Sequence, residues 1–484
     1  MNPGTSADAA LSGLGAREVI ERVRNGDLRA ENYVAALLDR QRRFAALNAL
    51  TWIDEPRALE DARRIDRKRA SGAALGVLAG LPVVIKDNIA VAGTANSAGT
   101  ATLRENIARH TAPVVQRLLE QDAIVFARAN MHELAGGGTS SNPSFGVVAN
   151  PYDLQRVPGG SSGGTAAALA ARLVPAGLGS DTAGSVRIPS ALCGTAGLRP
   201  TIRPHKLYAD EGVVPLAVDL DTVGPMALNV ADLAPLHQAI TGSAPRAGAT
   251  ANALRLGIAR KPYWEDLDPE VDRVAREALD RLQSAGVVVV EVDVSAYYAL
   301  GHEIYMTLVT QGIKEDLAPY LDKVGARVGQ HEVIARIASR DTRTLFEECG
   351  KSAIAPATLA KARGPLREKI LKSYTDLFRA HEINAIVYPT APIVAPLINR
   401  EGDTRDAEIE LNGRRVNQGQ TLFRNTRVTG ALGVPGLSLP AGLTRDGLPV
   451  GLELDGLAGE DTALIALGIE VESRLDRLPA PPSF

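Results

Sequence analysis

The sequence predicts an α/β fold: one large domain built on a parallel or mixed β-sheet with interleaved helices, carrying a helical insertion. Three observations predict it. Stretches with apolar residues at three- and four-residue spacing alternate with short β-branched runs up to about residue 230. Long helical segments fill most of 255–375, and the last hundred residues return to strand-like runs, so sheet brackets the helices. The 484 residues are 45% apolar and 23% charged, the balance of a globular chain with ample core. Aromatics are only 4%, so that core rests on Ala, Val, Leu and Ile.

Taken in order, "AREVIERVRNGDLRAENYVAALLDRQRRFAAL" and, more weakly, "EPRALEDARRIDRKRA" predict an N-terminal helical layer over residues 1–73. At "GVLAGLPVVIKDNIAVAG" the texture changes, and "LPVVI" ahead of a charged turn reads as a buried strand. "APVVQRLLEQDAIVFARANMHELA" predicts a helix over 113–120, a turn and a strand at "AIVFAR". This alternation defines a core segment, 74–245. Residues 246–375 form a variable helical region with one strand-like run, "GVVVVEVDV". Residues 376–484 return to the sheet through "INAIVYPTAP", "PGLSLPAG" and "GLPVGLELDG". No internal repeat and no low-complexity linker divides the chain.

Composition excludes several functions. A net charge of −3 supplies no basic field for nucleic acid, and "RQRR" and "RRIDRKR" read as solvated helix faces. The two cysteines, Cys193 and Cys349, offer neither a disulfide framework nor a zinc ribbon and fit a reduced cytoplasm. The N-terminus lacks the pattern of an export signal, and no apolar run reaches the roughly 18 residues of a membrane span. A cytoplasmic protein without a membrane partner, metal or cofactor is expected.

"RVPGGSSGGTAAAL", residues 156–169, is a glycine-rich loop entering an alanine-rich helix, and it could cradle a phosphate or present a serine. The phosphate reading lacks the lysine of GxxxxGK[ST] and the spacing of GxGxxG. The serine reading has a formal match to the GxSxG nucleophile elbow at Ser162. An elbow needs a histidine later in the chain. Of the seven, His302, His331 and His381 could follow in the order Ser, Asp, His, and none sits in a glycine- or proline-marked turn after a strand.

A third arrangement uses more of the sequence. Twenty-four residues after Ser161, "GLGSDTAGSVRIPSALCG" makes a second turn of small residues that opens a helix and carries Ser185. Small residues there let a substrate carbonyl approach backbone N–H donors, so Ser185 reads as a nucleophile beside its own oxyanion hole. Serine needs a base. Lys86 follows "GLPVVI", whose strand would deliver it to the interior, where desolvation favours the neutral amine. With Ser161 as the bridge, the proton path runs from Ser185 through Ser161 to Lys86. The plain alternative is a snorkelling lysine and turn serines.

"GLPVVIKDNI", "GGSSGGTAAALAA" and "GSDTAGSVRIPSALCGTAGLRPT" together resemble the amidase signature family. The resemblance runs over about 76–232 and resumes over 384–471. It implies a mixed sheet flanked by helices on both faces, and a triad of Lys86, Ser161 and Ser185 with Ser185 acylated. It also implies a cis peptide bond at Gly160–Ser161, and an oxyanion hole of main-chain N–H groups from Thr182, Ala183, Gly184 and Ser185. Ser162 becomes a bystander. Ala183 stands where the family mostly has glycine, and its Cβ would restrict a backbone that needed positive φ.

Within the family, "VRIPSALCGTAGLRPT" and "GLSLPAGLTRDGLPVGLELDG" look most like bacterial indoleacetamide and mandelamide hydrolases. That implies cleavage of a small aryl- or alkyl-acetamide-type amide to acid plus ammonia or amine, with loss of activity as the lysine protonates at acid pH. Carbamate, anilide or ester hydrolysis is the alternative within the same chemistry. A glutaminase subunit of a tRNA-dependent amidotransferase is the alternative outside it, and Ile188 in "SVRIPS" counts against that role, since such subunits usually read "SIRQPA". Segment 297–321 has the Tyr, Met and Leu for an apolar acyl pocket and equally for helix packing, so no binding residue is assigned there. Relatives are often homodimers, but no stripe in this sequence marks an interface.

Overall fold

The computed structural model describes residues 11–245, 254–399 and 407–482. Its strands are β1 (Leu50–Trp52), β2 (Pro82–Lys86), β3 (Ile124–Ala129), β4 (Ala176–Asp181), β5 (Ala196–Arg199), β6 (Thr222–Ala227), β7 (Arg255–Ile258), β8 (Val288–Glu291), β9 (Ala385–Pro389), β10 (Glu408–Leu411), β11 (Arg414–Asn417), β12 (Gly436–Leu443) and β13 (Pro449–Asp455). The helices that carry site residues are α1 (Gly163–Ala170), α2 (Arg187–Cys193), α3 (Ser295–Glu315), α4 (Arg340–Lys351), α5 (Gln418–Leu422) and α6 (Arg427–Leu432).

Eleven strands make one sheet in the order β1-β3-β2-β4-β6-β5-β12-β13-β9-β7-β8, and β10 pairs with β11 in a separate hairpin. The sheet is mixed: β2 runs parallel to β3 and β4, and β7 parallel to β8 and β9, while β4, β6, β5, β12, β13 and β9 alternate in direction. The expected α/β class, with one large helix-flanked domain, is what forms. Its central join is β5 with β12, where Leu198 lies opposite Leu437.

Every residue of β2, β4, β6, β9 and β13 is buried, which is why their sequences run apolar instead of alternating. α1 is buried all round and packs on β2, β4 and β6. Such contact demands small residues on both sides: a Cβ on Gly177 of β4 would come within 2.9 Å of the Thr165 methyl of α1. "GGTAAALA" and "AGLGSD" are two halves of one close contact.

Two short strands depart from the segment reading. The N-terminal helical layer also yields β1, antiparallel to β3, and region 246–375 yields β7 as well as the expected β8, so it extends one edge of the sheet before turning helical. Strands of three and four residues are too short to display a period of two. Apolar side chains gather into two large cores, one under the N-terminal helices and β2–β4, the other joining the inserted helices to the C-terminal strands.

Candidate active site

β2 ends on Lys86 and its parallel neighbour β4 ends on Asp181, so the loops that follow open side by side at the carboxyl ends of the strands. Lys86 is 0% exposed; with both faces of β2 covered, its stem has no route to water. Its Nζ lies 2.7 Å from Ser161 Oγ, 2.9 Å from Ser180 Oγ and 3.3 Å from the Ser180 carbonyl. Burial pushes the Lys86 pKa down to about 7, against the opposing pull of Asp181 and Asp221. The amine is therefore substantially neutral near pH 7.

Ser161 enters α1 from a cis Gly160–Ser161 peptide and is fully buried. A Cβ on Gly160 would press within 3.0 Å of the Gly138–Thr139 backbone, so only glycine lets these two loops touch. Ser162 faces away: its Oγ donates to the Ser180 carbonyl and accepts from the Ser180 N–H, with no histidine among its partners. Ser185 stands in the turn between β4 and α2. Its carbonyl accepts from the Ser162 N–H at 3.1 Å, while its hydroxyl opens on a pocket and bonds to no other described residue.

The turn 182–185 is held from behind. Asp181 accepts from the Gly184 N–H at 2.9 Å and the Val186 N–H at 3.1 Å, and it is gripped by Arg187 and Arg199. Burial alone would raise this carboxyl, but the two guanidiniums hold it far below the usual carboxylate range. Asp221 accepts from Thr182 Oγ1 at 2.5 Å, and Thr426 Oγ1 donates to the Ala183 carbonyl. Of the four N–H groups expected to line an oxyanion hole, Gly184's is thus spent on Asp181, while those of Thr182, Ala183 and Ser185 have no acceptor among the described residues. Positive φ falls at Gly184 (135°) and not at Ala183, so the alanine is accommodated without backbone strain.

In front of Ser185 lies an open-mouthed pocket with a cavity of about 140 Å³. Its walls come from the 136–139 loop, from Tyr305, Met306 and Val309 of α3, and from Leu216, Leu345, Leu422 and Phe423, with Arg427 beside the two rings of Tyr305 and Phe423. Segment 297–321, left without a binding residue by sequence, supplies three of these side chains.

The structure brings Lys86 and Ser161 into direct contact and sets Ser185 at the pocket floor. Sequence reasoning passed over Ser180 and Asn88, whose amide donates to Ser180 Oγ at 3.0 Å, and over Asp181, Asp221 and His132, whose backbone N–H donates to the Ser161 carbonyl at 3.1 Å. Asp181 had a readable signal, an acid closing a strand immediately before a small-residue turn. The others are set by tertiary contact. Among the described residues no cluster of His, Cys, Asp or Glu could hold a metal ion, both cysteines are buried, and no helix is long and apolar enough to cross a membrane.

A sequence model of the Amidase family matches residues 32–465. The chain belongs to the amidase signature family. It is 35% identical over 475 residues to a mandelamide hydrolase of Pseudomonas putida, covering 95% of this chain and 91% of the relative. It is 35% identical over 461 residues to an indoleacetamide hydrolase of Agrobacterium vitis, covering 95% and 96%. A crystal structure described as an amidase superposes with a TM-score of 0.84 at 29% identity, covering 96% of this chain and all of that one. Membership makes the protein an amidase, a hydrolase of carboxylic amides.

Proposed function

We propose that this amidase hydrolyses small aryl- or alkyl-acetamide-type amides to acid and ammonia through a Ser185 acyl-enzyme. The observation that carries this reading is a fully buried lysine 2.7 Å from Ser161 Oγ, in a loop whose Ser162 N–H donates at 3.1 Å to the carbonyl of Ser185, a serine lining an apolar pocket. Neutral Lys86 accepts the Ser161 proton while donating to Ser180, and Ser161 accepts the proton of Ser185 as Ser185 Oγ attacks the amide carbon. The oxyanion that forms is met by the N–H groups of Thr182, Ala183 and Ser185, the three left unengaged. The proton then returns along the same path to the leaving nitrogen, and ammonia departs. Water, deprotonated by the same relay, attacks the acyl-enzyme and releases the acid.

Pocket chemistry supports the acyl class. Tyr305, Met306, Val309, Leu216 and Phe423 offer a flat, polarisable lining suited to an aryl or short alkyl group. The kinship with mandelamide and indoleacetamide hydrolases points the same way. Purified protein incubated with arylacetamides, anilides, carbamates and esters should release ammonia fastest from the primary arylacetamides. Ser185→Ala should abolish that release, and undiminished activity in this variant would overturn the mechanism.

A further inference from the structure

Behind Arg187, away from the pocket, the fold buries two more acids on one face of β13. Glu453 and Asp455 sit two residues apart, 0% and 2% exposed, opposite Ser438 and Gly436 of β12. A Cβ at Gly436 would stand 2.7 Å from Glu453 Oε1 and 2.8 Å from Asp455 Oδ1, so the two carboxyl groups crowd one small space. Each has one satisfied and one orphaned oxygen. Glu453 Oε1 accepts from Arg187 Nη1 at 2.8 Å, and Asp455 Oδ2 accepts from the Tyr388 hydroxyl at 2.6 Å and Thr429 Oγ1 at 2.8 Å. Glu453 Oε2 and Asp455 Oδ1 are buried with no partner among the described residues.

Two ionised carboxylates so placed would leave both acceptors unpaired in a dry interior. A single proton makes one group a donor and the other an acceptor. The charge count agrees. The buried cations Arg187 and Arg199 already face Asp181 and, beside Arg199, Asp221, so two further negative charges overload the cluster. Around Glu453 the remaining ionisable neighbours are the hydroxyls of Tyr388, Tyr263 and Tyr374, all buried and un-ionised. Asp455, with two hydroxyl donors, is the better-solvated anion.

We infer that Glu453 and Asp455 share one proton at neutral pH, carried by Glu453, and that this singly ionised pair is what holds Arg187 against Asp181 and so fixes the Ser185 turn. Burial raises the pKa of both acids, and the charge of Asp455 raises that of Glu453 further. Glu453 is thus a positioning residue: its line runs through Arg187 to Asp181, and from Asp181 to the Gly184 and Val186 N–H groups. Loss of the shared proton on the alkaline side places a second negative charge on the pair, behind the site where the oxyanion develops, and activity falls. Only the kinetic consequence depends on the proposed role of Ser185.

Infrared difference spectroscopy on the full chain reads the proton directly. At pH 7 the wild type should show the carbonyl stretch of an un-ionised carboxylic acid that Glu453→Gln lacks. Asp455→Asn should lack it too, because Glu453 then ionises against Arg187. Absence of a wild-type-minus-Glu453→Gln band overturns the inference, and if that variant does not fold, persistence of the band in Asp455→Asn overturns it equally. In kinetics, the wild type should lose activity by about tenfold per pH unit above the pair's midpoint, and Glu453→Gln should lack that fall. An identical alkaline fall in Glu453→Gln refutes the coupling to the turn, whereas loss of activity in Ser185→Ala reports on the hydrolytic mechanism alone.

Discussion

Lys86 concentrates the energetic conflict of this enzyme in one side chain. Its folded pKa of about 7 lies below the ordinary 10.5, so between those values the unfolded chain binds the proton that the folded chain has shed. Stability therefore rises as pH climbs from about 7 to about 10.5, and below pH 7 the full penalty, on the order of 4–5 kcal/mol, is present. Lys86→Met removes that penalty together with the bonds to Ser161 and Ser180. We expect a melting temperature at pH 7 higher by roughly 1–3 °C, checked by calorimetry, and activity lower by roughly 10³-fold or more. In the wild type, kcat/KM should rise with pH through an acid limb centred near 7 as the amine is freed, checked by a pH–rate profile. Gly184 is as exacting for a steric reason. A Cβ there would overlap Thr426 Oγ1 and approach Ile188 Cδ1 to 2.9 Å on a backbone at φ 135°, so Gly184→Ala should destabilise the fold by about 2 kcal/mol or more, read by thermal melting, and should displace the Ser185 turn.

At the scale of elements, the division of labour is between rigid β2 and β4, which present the lysine and the serine turn, and α3, which shapes what reaches them. Tyr305→Ala should lower kcat/KM for an arylacetamide about tenfold more than for acetamide, since it removes ring surface from the pocket and leaves the relay in place. The contrast explains what could be read beforehand. β2 and α1 were legible because local pattern dictates them, a run of β-branched residues into a lysine and a glycine-rich loop into an alanine-rich helix; β4 was not, since its small residues read as part of the turn that follows it. The pocket wall was not, because Tyr305, Met306 and Val309 acquire their role from where α3 docks, and a helix with apolar residues on much of its surface looks the same whether it faces a core or a substrate. Asp221 and His132 were invisible for the same reason, being joined to the site by tertiary contacts, among them those with Thr182 Oγ1 and the Ser161 carbonyl.

Across the whole molecule, one continuous sheet ties the Lys86–Ser185 half to the C-terminal half. Arg187 reaches Glu453 and Thr426, and Asp461 accepts from the Thr201 N–H at 2.8 Å, so the turn that presents Ser185 is braced by residues far along the chain. We expect a single thermal transition in which circular dichroism and loss of activity coincide; an early activity loss with the sheet intact would mean that the halves unfold separately. The order α/β core, helical excursion, return to sheet was legible from the alternation of patterns. The strand order was not, because no local pattern says that β5 will choose β12 as its neighbour.

That pairing also bears on how the protein is made. Leu198 and Leu437 meet across strands separated by about 240 residues of chain, so at roughly 5–20 residues per second the ribosome delivers β12 tens of seconds at most after β5 has emerged. Throughout that interval β5 has a bare edge of Ala, Gly and Leu, and Arg187 waits for Glu453. The nascent chain thus carries Lys86, Ser161 and Ser185 before the strand that braces their loops from behind has been made.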